Sequence, residues 1–210
     1  EMFMQVTDRT GVLREDTRWP YLREVKEYGP MNTWDVSRVT DMHWLFAFKT
    51  EFNAYIGDWD TSNVTNMTGM FDRSAAFNNG AAGGKSGPPL KWNTSKVKVM
   101  SMMFEEATAF NADIGGWDTS EVEYMSDMFR GASAFNQDIR RWNVSKVESF
   151  HSMFYGASEF DQNLSDWHQP ADGKTVDPTA DKRDMFMESG LTQKNRPRWL
   201  GEPGEGDRVG

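Results

Sequence analysis

Tryptophan recurs in this chain on a 25-residue beat. Trp34 and Trp59 are 25 apart, and Trp92, Trp117, Trp142 and Trp167 keep the same interval among themselves. The step from Trp59 to Trp92 is 33, the same period plus an eight-residue Gly/Pro-rich insert. A fixed period of this size restricts the chain to an array in which each unit buries its apolar face only against its neighbours. It also assigns most of the aromatic side chains to structure before any is claimed for chemistry.

With each tryptophan as position 1, position 6 is Val39, Val64, Val97, Val122 and Val147, and position 13 is Phe46, Phe71, Phe104, Phe129 and Phe154. Position 19 is Phe52, Phe77, Phe110, Phe135 and Phe160. Positions 9, 12, 13, 16 and 19 fall on one helical stripe. Alanine at position 16 (Ala107, Ala132, Ala157) allows close packing. The Ser-x-Val segment at positions 4 to 6 is short and β-competent. Asp or Asn at position 2 suits turns through side-chain to backbone hydrogen bonds.

Each unit therefore reads as turn, short strand, helix and return loop. The expected fold is an α/β solenoid, a leucine-rich-repeat-like stack of strand–helix units with a narrow parallel sheet. Residues 16–28 predict a helical N-terminal cap, with Trp19, Leu22, Val25 and Tyr28 on one face and Gly29-Pro30 as the stop. The expected organisation is an N-terminal segment and cap over 1–30 and five repeats over 31–167, with the insert at 79–89. A degenerate capping repeat over 168–194 and a Pro/Gly-rich tail over 195–210 complete it.

Charge narrows the partners. With 23 basic and 32 acidic residues the formal charge is −9, which argues against a broad footprint for nucleic acid or anionic lipid. No apolar run is long enough to predict a membrane span. The absence of cysteine excludes disulfides, thiolate metal sites and cysteine nucleophiles. The opening Glu1-Met2-Phe3-Met4 lacks the basic start of a signal peptide. The reading favours a secreted, cell-surface or organelle-associated protein whose leader has been removed.

Candidate chemistry is sparse. Asn79-Gly80-Ala81-Ala82-Gly83-Gly84-Lys85-Ser86 is one residue from a phosphate-binding loop. It follows a helical segment instead of a strand, and Gly87-Pro88-Pro89 blocks the helix whose N-terminus would hold the phosphate. It reads as a flexible insertion, and no cofactor is expected. His43 and His151 share position 10 four repeats apart, ~19 Å at sheet spacing, too far to share a metal or a proton. His168 lies in the terminal loop. The acids at position 2 (Asp35, Asp60, Asp118) and position 22 (Asp113, Asp138) suit turn capping better than Ca²⁺, for which no EF-hand spacing exists. The position 20 asparagines (Asn53, Asn78, Asn111, Asn136) read as a turn ladder. Five N-x-Ser/Thr triplets begin at Asn63, Asn66, Asn93, Asn143 and Asn163. They would carry glycans only in a secretory eukaryotic setting.

Trp117-Asp118-Thr119-Ser120 through Met128-Phe129, then Ala132 and Phe135-Asn136-Gln137-Asp138-Ile139, resembles the BspA-like repeat family. That family is also catalogued as the DUF285 repeat of mycoplasma surface lipoproteins. The lead-in Tyr28-Gly29-Pro30-Met31-Asn32-Thr33-Trp34 resembles the start of its usual first repeat. The resemblance covers residues 28–167, with departures at Lys49, Ser74 and Tyr55 and at the insert. It implies a leucine-rich-repeat-like solenoid and surface or interaction roles, mostly without defined ligands.

The reading is a non-catalytic repeat scaffold for protein–protein interaction, as a structural subunit of a larger assembly. The alternative is a secreted or cell-surface adhesion module that binds carbohydrate. Variable positions would carry the contacts, 3, 5 and 7 on the expected strand face and 10, 11 and 14 on the expected helix face. On the expected strand face these are Arg38, Asn63, Lys96, Lys98, Glu121, Glu123, Lys146 and Glu148. Trp44 and Trp199 join them because repeat packing does not require these tryptophans. Their mixed signs favour a protein partner over a polyanion.

Overall fold

The computed structural model describes residues 6–7, 13–14, 29–81, 85–168 and 177–197. A short antiparallel pair comes first, β1 (Val6–Thr7) with β2 (Leu13–Arg14). The repeats then form stacked coils. Coils 1 to 5 begin at Trp34, Trp59, Trp92, Trp117 and Trp142, and a sixth is described from Asp177. Parallel pairing runs through the stack one residue per coil, Asp41 to Asn66 to Val99 to Tyr124 to Ser149 to Asp181.

The strand–helix unit expected from the sequence is not formed. Among the described residues there is no α-helix, and the repeats contain no continuous strand. Their only helical structure is three 3₁₀ turns, Met31–Thr33, Ser165–His168 and Gln193–Asn195. The helical cap expected over 16–28 lies outside the described residues.

Backbone hydrogen bonding shows what replaces the helix. In coil 1 the N–H groups of Met42, Trp44, Phe46 and Phe48 donate to carbonyls of Asn66, Thr68, Met70 and Asp72 in coil 2. The residues between them turn back, Leu45 to Met42, Ala47 to Trp44 and Lys49 to Phe46. Every later junction repeats the pattern, down to Phe150, Ser152, Phe154 and Gly156 donating to Asp181, Arg183, Met185 and Met187. Over positions 9 to 16, odd positions bond to the next coil and even positions within their own. This requires left-handed backbone at position 11 (Trp44, Gly69, Met102, Asp127, Ser152, Asp184) and at position 15 (Phe48, Arg73, Glu106, Gly131, Gly156, Glu188). A right-handed helix cannot pass through two such residues.

The core lies inside the coils, where the repeated apolar positions form ladders. The position 13 phenylalanines stack ring on ring from Phe46 to Phe186, with centroids 5.4 to 5.7 Å apart. The position 19 phenylalanines form a second ladder at 5.6 to 5.9 Å. Within each of coils 1 to 5 the two rings stack at 3.7 to 4.2 Å. Burial of each such ring contributes about 1.5–3 kcal/mol. The tryptophans from Trp59 to Trp167 are also buried. Each indole N–H donates to a carbonyl two or three residues before the preceding tryptophan, as Trp92 does to Ile56 and Trp142 to Ile114. These tryptophans are structural, as their register suggests.

Polar ladders join the coils at their corners. The side-chain oxygen of Asn53 accepts from the Asn78 N–H, Asn78 from Asn111, Asn111 from Asn136, and Asn136 from Asp161. The position 20 asparagines thus form the turn ladder that the sequence suggests. Position 2 caps its own turn in coils 1 to 5, Asp35 accepting from Ser37 and Asp118 from Ser120.

Candidate functional site

Two lateral faces of the stack carry the side chains that the repeat leaves variable. On the first, positions 5 and 7 flank the buried valine of position 6, so they project outward. Arg38, Asn63, Lys96, Glu121 and Lys146 form one column, and Lys98, Glu123 and Glu148 form the next. The eight face residues singled out from sequence are therefore gathered on one surface. They are largely engaged with one another across coils. Lys96 Nζ donates to Asn63 Oδ1 at 2.8 Å, Lys146 Nζ meets Glu121 at 2.6 Å and Lys98 Nζ meets Glu123 at 3.0 Å. Tyr124 Oη donates to Glu148 at 2.8 Å. The Lys146 ammonium holds Glu121 below the ordinary glutamate range, and Glu123 holds Lys98 above the ordinary lysine range. The face is a neutralised, ordered polar surface.

The second face is built on the left-handed positions 11 and 15 with position 14 between them. Trp44 and Phe48, two of the three exposed large hydrophobic residues among those described, stand here in coil 1. The Arg73 guanidinium lies 5.5 Å over the Phe48 ring and pairs with Glu106 at 3.1 Å. Two coils on, Arg130 lies 5.5 Å over Tyr155 and pairs with Glu105 at 2.9 Å. Asp72 is buried beneath this face, and its Oδ1 has no hydrogen-bond partner. Burial pushes its carboxyl up against the opposing pull of Arg73. Burial also raises Glu105 and Asp127, although Arg130 lies beside both.

The other candidates take structural places. The near-phosphate-loop segment leaves and rejoins the coil through Asn78 and Asn79. Asn79 is buried, accepts from the Ile56 N–H and donates to the carbonyls of Pro88 and Pro89. Asn78 Nδ2 donates to the Lys85 carbonyl. His43 pairs with Asp41 at 2.8 Å. The side-chain oxygens of Asn66, Asn93, Asn143 and Asn163 each accept the N–H two residues on, so these four triplets build turns. Asp113 and Asp138 do the same. Trp199 lies outside the described residues. No helix among those described is long and apolar enough to cross a membrane.

Sequence reasoning marked position 14, where Asp72, Glu105 and Arg130 stand, without naming these residues, and passed over Phe48 and Arg73 at position 15. For Asp72, Glu105 and Arg130 the signal was charge at position 14, on what reads as a helix face beside an apolar stripe. The coil aligns them in columns, one residue per repeat at each position.

The family model described as "Mycoplasma protein of unknown function, DUF285" matches residues 21–83 and 85–199. The chain belongs to the DUF285 family. The match runs across all six DUF285 coils. No curated protein and no solved structure matches the chain.

Proposed function

We propose that this DUF285 protein is a non-catalytic scaffold that binds a protein partner through the lateral faces of its coil stack, as a structural subunit of a larger assembly. One observation carries the reading. The coil consumes its recurring residues inside, in aromatic and amide ladders, and sets its variable residues in outward columns at fixed spacing. A surface of that kind suits an extended protein contact, with several side chains engaged at once.

The nearest approach to a catalytic arrangement supports the same reading. His151 Nε2 lies 3.5 Å from Ser152 Oγ, and its Nδ1 is buried without an acceptor. A serine–histidine pair without an orienting third group lacks what activates the nucleophile.

Affinity isolation of the full chain from its native source tests the proposal, beside a variant carrying Lys96→Glu, Lys98→Glu and Lys146→Glu. A stoichiometric protein partner, weakened at least about tenfold by the three reversals, is the expected result. A monomer that captures no protein and binds a glycan array would overturn it in favour of the adhesion module.

A further inference from the structure

At position 11 of coil 1 the left-handed backbone that the coil requires carries a tryptophan, Trp44. Its φ is +55°, in the region that favours glycine, and the equivalent residue of coil 2 is Gly69. A bulky side chain held there is strained unless something offsets the cost. A Cβ built on Gly69 would lie 2.5 Å from both Cε3 and Cζ3 of Trp44 and 2.8 Å from Cδ2. A point so nearly equidistant from three consecutive ring atoms lies above the ring, not beside its edge. The indole therefore lies face-down on the bare α-carbon of Gly69, with its opposite face turned out, and the residue is 40% exposed. Gly69 gives the ring a seat, and the seat fixes it in advance of binding.

The same face shows what such a ring receives. Phe48 carries the Arg73 guanidinium, backed by Glu106, and Tyr155 carries Arg130, backed by Glu105. Asp41 stands three residues earlier on the same coil; its Oδ1 accepts from the His43 N–H and pairs with His43 Nδ1 at 2.8 Å, and its side chain is 45% exposed. Among the described residues no guanidinium lies over its ring. Indole is the strongest cation-binding ring, and a planar guanidinium both stacks and pairs with a carboxylate. The chain's net charge of −9 favours approach of a basic segment.

We propose that the outer face of Trp44, with Asp41 as counter-charge, docks an arginine side chain of the protein partner. This adds a guanidinium-over-ring contact to the two made among the described residues. The inference rests on the scaffold reading and names the partner's chemistry.

The test uses the ¹⁵N-labelled full chain and a tetra-arginine amide peptide at physiological salt, followed at the Trp44 indole N–H. Trp44→Gly assigns that signal and suits the left-handed backbone, so the coil is retained, which the remaining indole signals verify. The expected result is a saturable shift at Trp44. Affinity should fall at least about fivefold in Trp44→Gly and about threefold in Asp41→Asn, with tetra-lysine weaker than tetra-arginine. Unchanged affinity in Trp44→Gly, equal shifts over the whole acidic surface, or a shift produced by cellohexaose and not by the peptide would each overturn it. The partner isolation is repeated with Trp44→Gly. A stoichiometric partner captured equally well by that variant overturns this inference alone. Peptide binding at Trp44 with no protein captured by the wild-type chain overturns the scaffold reading.

Discussion

At the scale of single residues the coil is governed by backbone handedness and by what is left unpaired inside. Gly131 has φ +67°, and a Cβ there would meet Glu106 Cγ at 3.3 Å. Gly131→Ala should cost about 1 kcal/mol, mostly from the left-handed backbone. At Gly57 a Cβ would lie 2.6 Å from the Pro89 carbonyl oxygen and 2.8 Å from Asn79 Nδ2, both part of the insert's anchor. Gly57→Ala should therefore cost more, about 3 kcal/mol by overpacking. Urea unfolding of the two variants checks the order, and equal losses would contradict it.

Asp72 is destabilising as a buried carboxylate. Its folded pKa is raised above the ordinary 3.8 because burial opposes the charge. The folded state therefore holds the proton more tightly than the unfolded chain. The stability gained from that proton is full below 3.8 and is lost as pH rises through the raised folded value. Asp72→Asn should stabilise the protein at pH 7.5 by about 1 kcal/mol and flatten its stability between pH 7.5 and 4. Asp181 has the opposite sign. Arg183 lowers it to about 2, so its contribution is present above the unfolded 3.8 and is lost as pH falls through about 2. Melting temperatures across that range separate the two effects.

Within the single coil, position 20 and position 2 do different work although both are Asn or Asp. The Asn136 side chain accepts from the Asp161 N–H at 3.2 Å and from Gln162 Nε2 at 2.7 Å, linking one coil to the next. Asn136→Ala leaves partly buried donors unpaired and should cost about 2 kcal/mol. Asp60 accepts from the exposed Ser62, within its own turn, so Asp60→Ala should cost about 0.5–1 kcal/mol. Chemical unfolding of the two variants measures the difference between a ladder rung and a local cap. The helical reading failed at this same scale. Positions 9, 12, 13 and 16 have helical spacing, but a pair of turns that each reverse after three residues presents the same spacing to a core. The contrary signal was glycine inside the expected helix, at Gly69, Gly131 and Gly156, where a helix loses about 1 kcal/mol per residue.

Across the whole molecule the stack is one-dimensional, so each coil is supported by two neighbours except at the ends. Phe129 stacks on Phe104 and Phe154 at 5.7 and 5.5 Å, whereas Phe186 meets Phe154 from one side at 5.4 Å. Phe129→Ala should cost about 3–5 kcal/mol and Phe186→Ala less. Amide exchange should then rise in coils 3 and 5 for the central variant, at Phe104 and Phe154, and only in coils 5 and 6 for the terminal one. Exchange confined to coil 4 in the central variant would contradict coupling between neighbours.

The period, the buried face and the amide ladder were legible in the sequence because they depend on identity recurring in phase. Trp, Val, Met and Phe at fixed intervals can be buried only against their own copies, whatever backbone carries them. The side chains on the polar face were legible as a set because they share positions 5 and 7 of the repeat. Backbone path was decided by tertiary structure. An isolated segment over positions 9 to 16 satisfies its N–H groups by forming a helix. A stacked segment has a second acceptor row, the even-position carbonyls of the next coil, and those bonds together with the ring ladders hold left-handed residues that no lone segment would adopt. The seat of Trp44 on Gly69 belongs to the same class. It joins residues 25 apart through a contact that exists only once the coils are stacked.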